Sequence, residues 1–293
     1  MTKNTLHDNA LHNTEPAFAV GEPRNFGALT VLPLVAETPP ALEYIGLDEA
    51  LARGASVREL SEAGSVETLA FDNKLDEAVL LYEGEELVGA KQNRIVQRTA
   101  LIPPKTVTAL PVHCVEQGRW AYRTHVFASA PRAATPEVRR AKGSQGLVWH
   151  AVAAKNARLD VDAPTGAAEA AFAVYGGTID EHVAALPRED GQCGMIAAIG
   201  GKIACLDFVG RADVFAGLYA KLLRGYALDA LEHRDAKPVR GGALEQFLRD
   251  VASSQRRLAP AVGLGSESRF AGPVLGIELA AHGEVVALTA FPA

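Results

Sequence analysis

The sequence contains little cysteine, and the little it has is widely spaced. Its three cysteines are Cys114, Cys193 and Cys205. Three residues so far apart do not form a disulfide framework, and they lack the CxxC spacing that is typical of a structural zinc site. We therefore expect reduced, mostly buried thiols, no metal and no cofactor.

Long hydrophobic runs are also absent. A membrane-spanning helix needs about 18 or more apolar residues in succession, and even residues 206–223 are interrupted by four charged side chains. Residues 1–20 are polar and lack the hydrophobic segment of a secretory signal. The sequence therefore predicts a cytoplasmic protein without a membrane partner.

An excess of positive charge is missing as well. The chain has 35 acidic and 29 basic residues, which gives a net charge of −6. A strong overall positive field is typical of nucleic-acid-binding proteins, so nucleic acid is not an expected partner. The P-loop motif GxxxxGK[ST] is also absent, because residues 200–202 match only part of it and lie between two predicted strands.

What the sequence does contain is the composition of a folded protein. Of its 293 residues, 48% are hydrophobic and 22% are charged, which is close to the globular average. We predict an α+β fold in which an N-terminal antiparallel, β-sandwich-like half (residues 25–134) packs on a C-terminal α+β half (residues 135–293) with two β-hairpins and several helices. Residues 1–24 are predicted to be a disordered polar tail, and the two halves form either separate units or one continuous domain.

Short apolar runs separated by turn residues predict the strands of the N-terminal half. One hairpin is predicted around residues 83–85. A second is predicted where a strand over residues 107–116 turns at residues 117–118 into a strand over residues 120–127. A single short helix at residues 47–53 interrupts these strands.

Helical periodicity begins at Thr135, where Thr135 and Pro136 have the residue types of an N-cap and a first helical position. Residues 212–231 place an apolar side chain at every third or fourth position and predict a long amphipathic helix. Two late hairpins are predicted at residues 195–208 and 274–291.

Four consecutive hydrogen-bonding side chains, Lys91, Gln92, Asn93 and Arg94, follow a predicted strand. An unpaired buried polar group costs about 1–3 kcal/mol, so each of these residues needs a partner if it is buried. The run is therefore either a solvated turn or part of a ligand site or an internal network.

The second predicted hairpin places Glu116 opposite Arg119, with Cys114 on the same face. Nearby guanidinium groups lower the pKa of a thiol, which is one way to make a nucleophile. The alternative is a small buried side chain beside a hairpin ion pair. Strand alternation turns His113 away from Cys114 and disfavours a zinc ion held by both.

Gln145 and Trp149 supply an amide and an indole donor near a predicted helix break. A tryptophan on a helix usually packs in the core. It would line a pocket only if it lay close to residues 91–94.

Several long segments of the chain resemble a bacterial family, the ADP-ribosylglycohydrolase and rhodanese-phosphatase associated protein domain, or ARPP. The segments that carry the resemblance are residues 84–95, 102–104, 114–120, 144–149 and 200–231. Together with the final strands, they extend it over nearly everything after about residue 25. The family's name records an association with enzymes that process ADP-ribose and phosphate rather than an established activity.

The resemblance implies candidate residues without ordering them into a mechanism. The catalytic candidates are Cys114, Glu86 and Glu116, and the ligand-binding candidates are Lys91, Gln92, Asn93, Arg94, Arg119, Gln145 and Trp149. The leading hypothesis is a protein that binds a small anionic or nucleotide-like ligand, related to ADP-ribose or phosphate, in a polar cleft between the two halves. Two alternatives stay open: an enzyme that processes such a ligand with Cys114 or a glutamate as catalytic group, and a structural or protein-interaction domain without a small-molecule ligand.

Overall fold

The computed structural model describes residues 18–38, 40–233 and 237–293. The strands are β1 (Phe18–Val20), β2 (Arg24–Phe26), β3 (Leu29–Ala36), β4 (Tyr44–Gly46), β5 (Ser56–Glu59), β6 (Thr68–Asn73), β7 (Ala78–Leu81), β8 (Glu85–Gly89), β9 (Arg94–Val96), β10 (Ala100–Ile102), β11 (Thr106–Cys114), β12 (Phe127–Ala133), β13 (Gln192–Ile199), β14 (Lys202–Val209), β15 (Gln255–Pro260), β16 (Ser266–Ala271), β17 (Val274–Ala281) and β18 (Glu284–Pro292). The helices are α1 (Leu47–Ala52), α2 (Pro136–Arg140), α3 (Gln145–Arg158), α4 (Glu169–Val174), α5 (Gly176–Ala185), α6 (Ala212–Ala230) and α7 (Ala243–Ser253).

These elements confirm the prediction of an α+β fold. About 26% of the described residues are helical and 39% are in strands. The strand pairs are antiparallel apart from β4 and β7, which run parallel. Within the described ranges, no helix is both long and apolar enough to span a membrane.

Six strands close into a barrel in the order β11-β6-β5-β12-β8-β9. Its interior is filled by apolar side chains such as Val57, Leu69, Leu87 and Leu110. The sandwich-like half of the prediction thus takes the form of a closed barrel beside a three-stranded sheet of β10, β7 and β4. A register shift in β12 accompanies its pairing with both β5 and β8, and an irregularity of this kind bends a strand as closure requires.

The remaining nine strands form one large sheet in the order β1-β3-β13-β14-β18-β17-β16-β15, with β2 also paired to β3. Helix α6 packs against this sheet through Phe215, Leu222 and Tyr226. Residues 1–17 of the predicted tail lie outside the described residues. The rest of that prediction needs correction, because residues 18–20 form β1 and pair with β3.

Both hairpins predicted in the N-terminal half are wrong. Strand β7 pairs with β4 and β10, whereas β8 pairs with β9 and β12, so the turn at residues 83–85 carries the chain from the small sheet into the barrel. Strand β11 ends at Cys114, and residues 115–126 contain no strand. Backbone groups there bond to distant segments instead: the N–H of Gly118 donates to the carbonyl of Thr165, and that of Ala121 to the carbonyl of Lys91.

The later elements were predicted more successfully. The hairpins β13–β14 and β17–β18 form around the expected turns. Helix α6 follows the predicted apolar pattern. Thr135 caps α2 by accepting a hydrogen bond from the N–H of Val138, and Pro136 is the first residue of that helix.

Candidate functional site

Residues 91–93 lie between β8 and β9 of the barrel, Arg94 is the first residue of β9, and all four are buried. The exposed fractions of Lys91, Gln92, Asn93 and Arg94 are 8%, 3%, 1% and 0%. The solvated-turn interpretation is therefore wrong. Buried groups of this polarity require partners, and the partners divide the candidate residues into two sets.

The first set surrounds Glu116, whose side chain is completely buried. Its carboxylate lies 2.6 Å from Nη2 of Arg119 and 3.3 Å from Nη2 of Arg123. It also accepts hydrogen bonds from the N–H of Asn93, at 3.1 Å, and the hydroxyl of Thr165, at 3.3 Å. Burial acts to raise the pKa of Glu116, but the bonds and charges of these donors outweigh it and lower the pKa. Glu116 is thus an ionised and fully partnered carboxylate.

Gln92, Asn93 and Arg119 belong to the same paired network. The Gln92 amide donates to the carbonyl of Glu116 at 3.1 Å. Oδ1 of Asn93 accepts from Arg119 at 3.1 Å, and its amide donates to Glu169 at 3.1 Å. These three side chains therefore join the segment after β8 to residues 116–119 and to α4.

Glu86 has a separate partner. Arg132 of β12 donates to both of its carboxylate oxygens, at 2.7 and 2.9 Å. Burial raises the pKa of Glu86, although the charge of Arg132 opposes the effect. The bidentate geometry is typical of a strong Arg–carboxylate pair.

Cys114, Gln145 and Trp149 form a third group at the end of β11. The Gln145 side chain accepts from the N–H of Cys114 and donates to its carbonyl, both at 2.8 Å, so it acts as an extra strand residue. Burial raises the pKa of the Cys114 thiol, although the Trp149 indole and Arg94 oppose the effect. A raised pKa disfavours the thiolate that a nucleophile needs.

Lys91 and Arg94 differ from every other buried cation of the described residues. The buried lysine and arginine side chains there are Lys91, Arg94, Arg119, Arg132, Arg139, Lys155 and Lys221. The last five each form an ion pair with a carboxylate. Neither Lys91 nor Arg94 has a described carboxylate oxygen within 4.0 Å of a side-chain nitrogen.

Main-chain carbonyls take the place of those carboxylates. They come from residues 60–65, which we call the capping loop. Nζ of Lys91 donates to the carbonyls of Glu62 and Ala63, at 2.5 and 2.9 Å. Arg94 donates to the carbonyl of Ser65 at 3.4 Å and to the Gln92 side chain at 3.0 Å. Nε of Arg94 has no hydrogen-bond partner in the described structure, as is also true of Nε of Arg119 and Arg139, so the missing carboxylate is what distinguishes Arg94.

Two half-exposed aromatic rings flank these cations. Nζ of Lys91 lies 5.2 Å from the ring centroid of Trp120 and 5.0 Å from that of Tyr122. The Arg94 guanidinium carbon lies 5.7 Å from the centroid of Trp120. The two aromatic residues are 46% and 44% exposed, so part of each ring faces solvent.

Glu59, at the end of β5, completes the site and was missed by sequence analysis. It is 7% exposed. Its Oε1 accepts from the N–H of Lys91 at 3.4 Å, whereas Oε2 is buried without a hydrogen-bond partner among the described residues. A signal existed in the sequence: with Val57 facing the barrel interior, the two-residue period of a strand turns Glu59 inward as well.

Two other features have the outward form of a site, a carboxylate cluster and a groove. Glu137, Asp229 and Glu232 bring carboxylate oxygens within 4.8 Å of one another, but the Lys155 ammonium pairs with all three. A groove of about 650 Å³ lies between residues 20–32 and 237–245 and contains none of the predicted site residues. Lys91 and Arg94 are instead buried against the capping loop, whose carbonyls accept their hydrogen bonds.

The fold and the site define an α+β protein with a charge-rich cluster built on one end of a small barrel. A family model described as the ARG and Rhodanese-Phosphatase-superfamily-associated Protein domain, ARPP-1, matches residues 17–291. The chain belongs to this family, which confirms the resemblance seen in the sequence. Comparisons with curated proteins and with solved structures gave no match.

Proposed function

We propose that the protein binds a small anion, such as the phosphate group of a nucleotide-like ligand, at Lys91 and Arg94. The observation that carries the proposal is the pair of adjacent buried cations without a carboxylate partner. Removing a charge from water costs several kcal/mol unless an opposite charge compensates it. A bound anion would supply that charge.

The chemistry of the two cations suits phosphate. Arginine presents a planar fork of donors that matches phosphate oxygens, and lysine adds a compact charge. Burial lowers the pKa of Arg94, while the nearby Glu59 and Glu116 only partly oppose the effect. An arriving anion would therefore bind a guanidinium that lacks a full counter-charge.

The capping loop offers a route to the site. Residues 61–63 are exposed, and the loop contacts the cations through main-chain carbonyls. In the proposed complex, ligand oxygens replace these carbonyls and the loop moves outward. The half-exposed rings of Trp120 and Tyr122 would then stack on a base or sugar, since aromatic side chains commonly line ligand sites.

The family adds independent support, because its name associates the domain with phosphatase-superfamily proteins. We extend the proposal to ligands related to ADP-ribose and to a cytoplasmic location. Three unpaired thiols favour a reducing compartment.

A structural role is the second candidate, and one observation favours it for part of the site. Gln92, Asn93, Glu116 and Arg119 bond to one another and to neighbouring main-chain groups. In this alternative they hold the barrel to the helices without any ligand. The proposed binding function therefore rests on Lys91 and Arg94 alone.

Isothermal titration calorimetry with ADP-ribose and with inorganic phosphate tests the proposal. Wild type should bind at least one of them, and ligand at 100 times Kd should add about 2.7 kcal/mol to the unfolding free energy. Arg94→Gln and Lys91→Gln should each weaken binding by about 10-fold or more, which corresponds to one charge-assisted hydrogen bond. Lys105→Gln, the same change at an exposed lysine, should leave affinity unchanged. Absence of binding by wild type, or equal binding by all variants, would contradict the proposal.

A further inference from the structure

The unpartnered oxygen of Glu59 adds information about the ligand that the two cations do not give. Oε2 of Glu59 is buried and has no donor among the described residues. The capping loop cannot satisfy it through the carbonyls that contact the cations, because those groups only accept hydrogen bonds. A carboxylate oxygen left in this state is unfavourable.

Glu59 and the cations converge on one small region. A Cβ atom placed on Gly64 of the capping loop would lie 3.1 Å from Cδ of Lys91, 3.2 Å from Cζ2 of Trp120 and 3.4 Å from Oε2 of Glu59. The carboxylate is also close enough to Arg94 to oppose the lowering of its pKa by burial. One small molecule under the loop would therefore meet both cations and the carboxylate.

A simple anion does not fit this combination. A phosphate dianion has oxygens that accept hydrogen bonds, and Coulomb repulsion would act between it and Glu59. A hydroxyl group next to the anionic group removes the conflict, because it donates to Oε2 and separates the two negative charges.

We infer that the ligand is a hydroxylated anion, with the anionic group on Lys91 and Arg94 and a hydroxyl donating to Oε2 of Glu59. This inference rests on the proposed function. The chemistry is shared by two sources, a polyol or sugar phosphate and a hydroxy acid. In both cases Glu59 selects the ligand rather than reacting with it.

The test uses two matched pairs of probes on the wild-type protein. Glycerol 1-phosphate is compared with propyl phosphate, and glycerate with propionate, because each pair keeps the anion and the three-carbon chain and removes the hydroxyls. We expect the hydroxylated member of at least one pair to bind about 10-fold or more tightly than its partner, since a site built to bond a hydroxyl discriminates against its loss. The pair that shows the preference identifies the anion as phosphate or carboxylate.

The variant Glu59→Gln sharpens the result. Its amide can donate to an anion, so affinity for propyl phosphate should rise and the preference for glycerol 1-phosphate should shrink to about 3-fold or less. Glu67→Gln, the same change at an exposed neighbour, should keep the wild-type preference. If Glu59→Gln does not fold, the wild-type comparison alone decides.

The outcomes test the anion site and the role of Glu59 separately. Binding of both members of each pair with equal affinity would overturn the role of Glu59 and leave anion binding standing. Failure of wild type to bind these probes, ADP-ribose or phosphate would overturn the anion site and this inference with it. A hydroxyl preference that persists unchanged in a folded Glu59→Gln protein would also overturn the assignment to Glu59.

Discussion

Arg94 and Arg139 are the two largest fully buried side chains among the described residues, and their surroundings are opposite. Arg139 of α2 lies 2.6 Å from Asp207 of β14 and 3.2 Å from Glu83, and its guanidinium carbon lies 5.3 Å from the ring centroid of Phe291. Arg94 has carbonyl and amide partners and no carboxylate partner. The same residue type at the same depth is thus a completed ion pair in one region and an uncompensated cation in the other.

The difference distinguishes a buried charge that holds the fold together from one that we propose binds a ligand. The Arg139 cluster joins the large sheet, a short helix and the turn that leads into the barrel, so its partners are supplied by the fold itself. At Arg94 the fold supplies the carbonyls of the capping loop instead, which a ligand would replace in the proposed complex. Buried polar groups that are fully paired specify a structure, whereas unpaired ones require a separate explanation.

The largest effect should come from removing Arg139. Arg139→Met leaves Asp207 and Glu83 buried without their guanidinium partner, and breaking a buried pair in this way costs about 3–5 kcal/mol. Arg94→Met should keep the unfolding free energy within about 1 kcal/mol of wild type, because it leaves no ion-paired carboxylate behind. Urea denaturation followed by circular dichroism measures both. Equal losses for the two variants would remove the distinction between the clusters.

Thiol labelling tests the enzyme alternative in both regions. Cys114 lies beside Arg94, and Cys205 lies in the Arg139 cluster; burial raises the pKa of both, and that of Cys193 to about 11. Iodoacetamide at pH 7 should label the folded protein about 100-fold or more slowly than the unfolded chain, because the buried thiols react only after an opening event. Mass spectrometry after digestion assigns each site. Rapid native labelling of Cys114 would revive its assignment as a nucleophile.

The capping loop should tolerate substitution poorly at one position. Gly64 has φ of 76°, and an added Cβ would press on Lys91, Trp120 and Glu59. We expect Gly64→Ala to lower the unfolding free energy by about 1–2 kcal/mol through backbone strain and crowding, and to weaken anion binding. Gly54→Ala is the matched control, because Gly54 has φ of 101° but open space around it. Thermal unfolding and calorimetry of both variants separate crowding from backbone strain, and equal anion binding by both would argue against a site under the loop.

The smallest effect concerns pH. The pKa of Glu116 is lowered in the folded state from its ordinary value of 4.5, so its ionisation stabilises the fold above that value and the contribution is lost as pH falls through the folded pKa. Burial raises the pKa of Glu86, so its contribution has the opposite sign and declines as pH rises above 4.5. The unfolding free energy should therefore fall less between pH 6 and 3.5 in Glu116→Gln than in wild type. In Glu86→Gln it should fall more over the same range. Parallel pH profiles for the two variants would contradict these assignments.

The elements that sequence patterns predicted well are local ones. Helix α6 has a clear apolar stripe, and the two late hairpins turn at Gly200–Gly201 and at His282–Gly283. The barrel was not predicted, because its closure depends on pairings between strands that are distant in sequence. The second hairpin failed for a related reason. The turn at residues 117–118 forms, with the N–H of Arg119 donating to the carbonyl of Glu116, but the residues after it pair with no strand and bond instead to segments such as residue 91.

The site was predicted only in part. The density of polar residues at 91–94 indicated that buried partners or a ligand would be needed, and the Glu116–Arg119 pair forms although the predicted hairpin does not. Which cations remain without a carboxylate depends on the whole fold, so local patterns could not separate Arg94 from Arg119. The two-residue period of β5 indicates that Glu59 faces inward, but its position beside Lys91 depends on the fold.

The most direct measurement uses Trp120, whose ring lies against both unpaired cations. Trp149→Phe leaves it as the single tryptophan of the chain. Titration of this variant with ribose 5-phosphate should change the fluorescence in a saturable manner, and adding Arg94→Gln to a protein that still folds should remove the response. A Trp120 signal that does not change with ligand, or that responds equally with and without Arg94, would contradict the anion site.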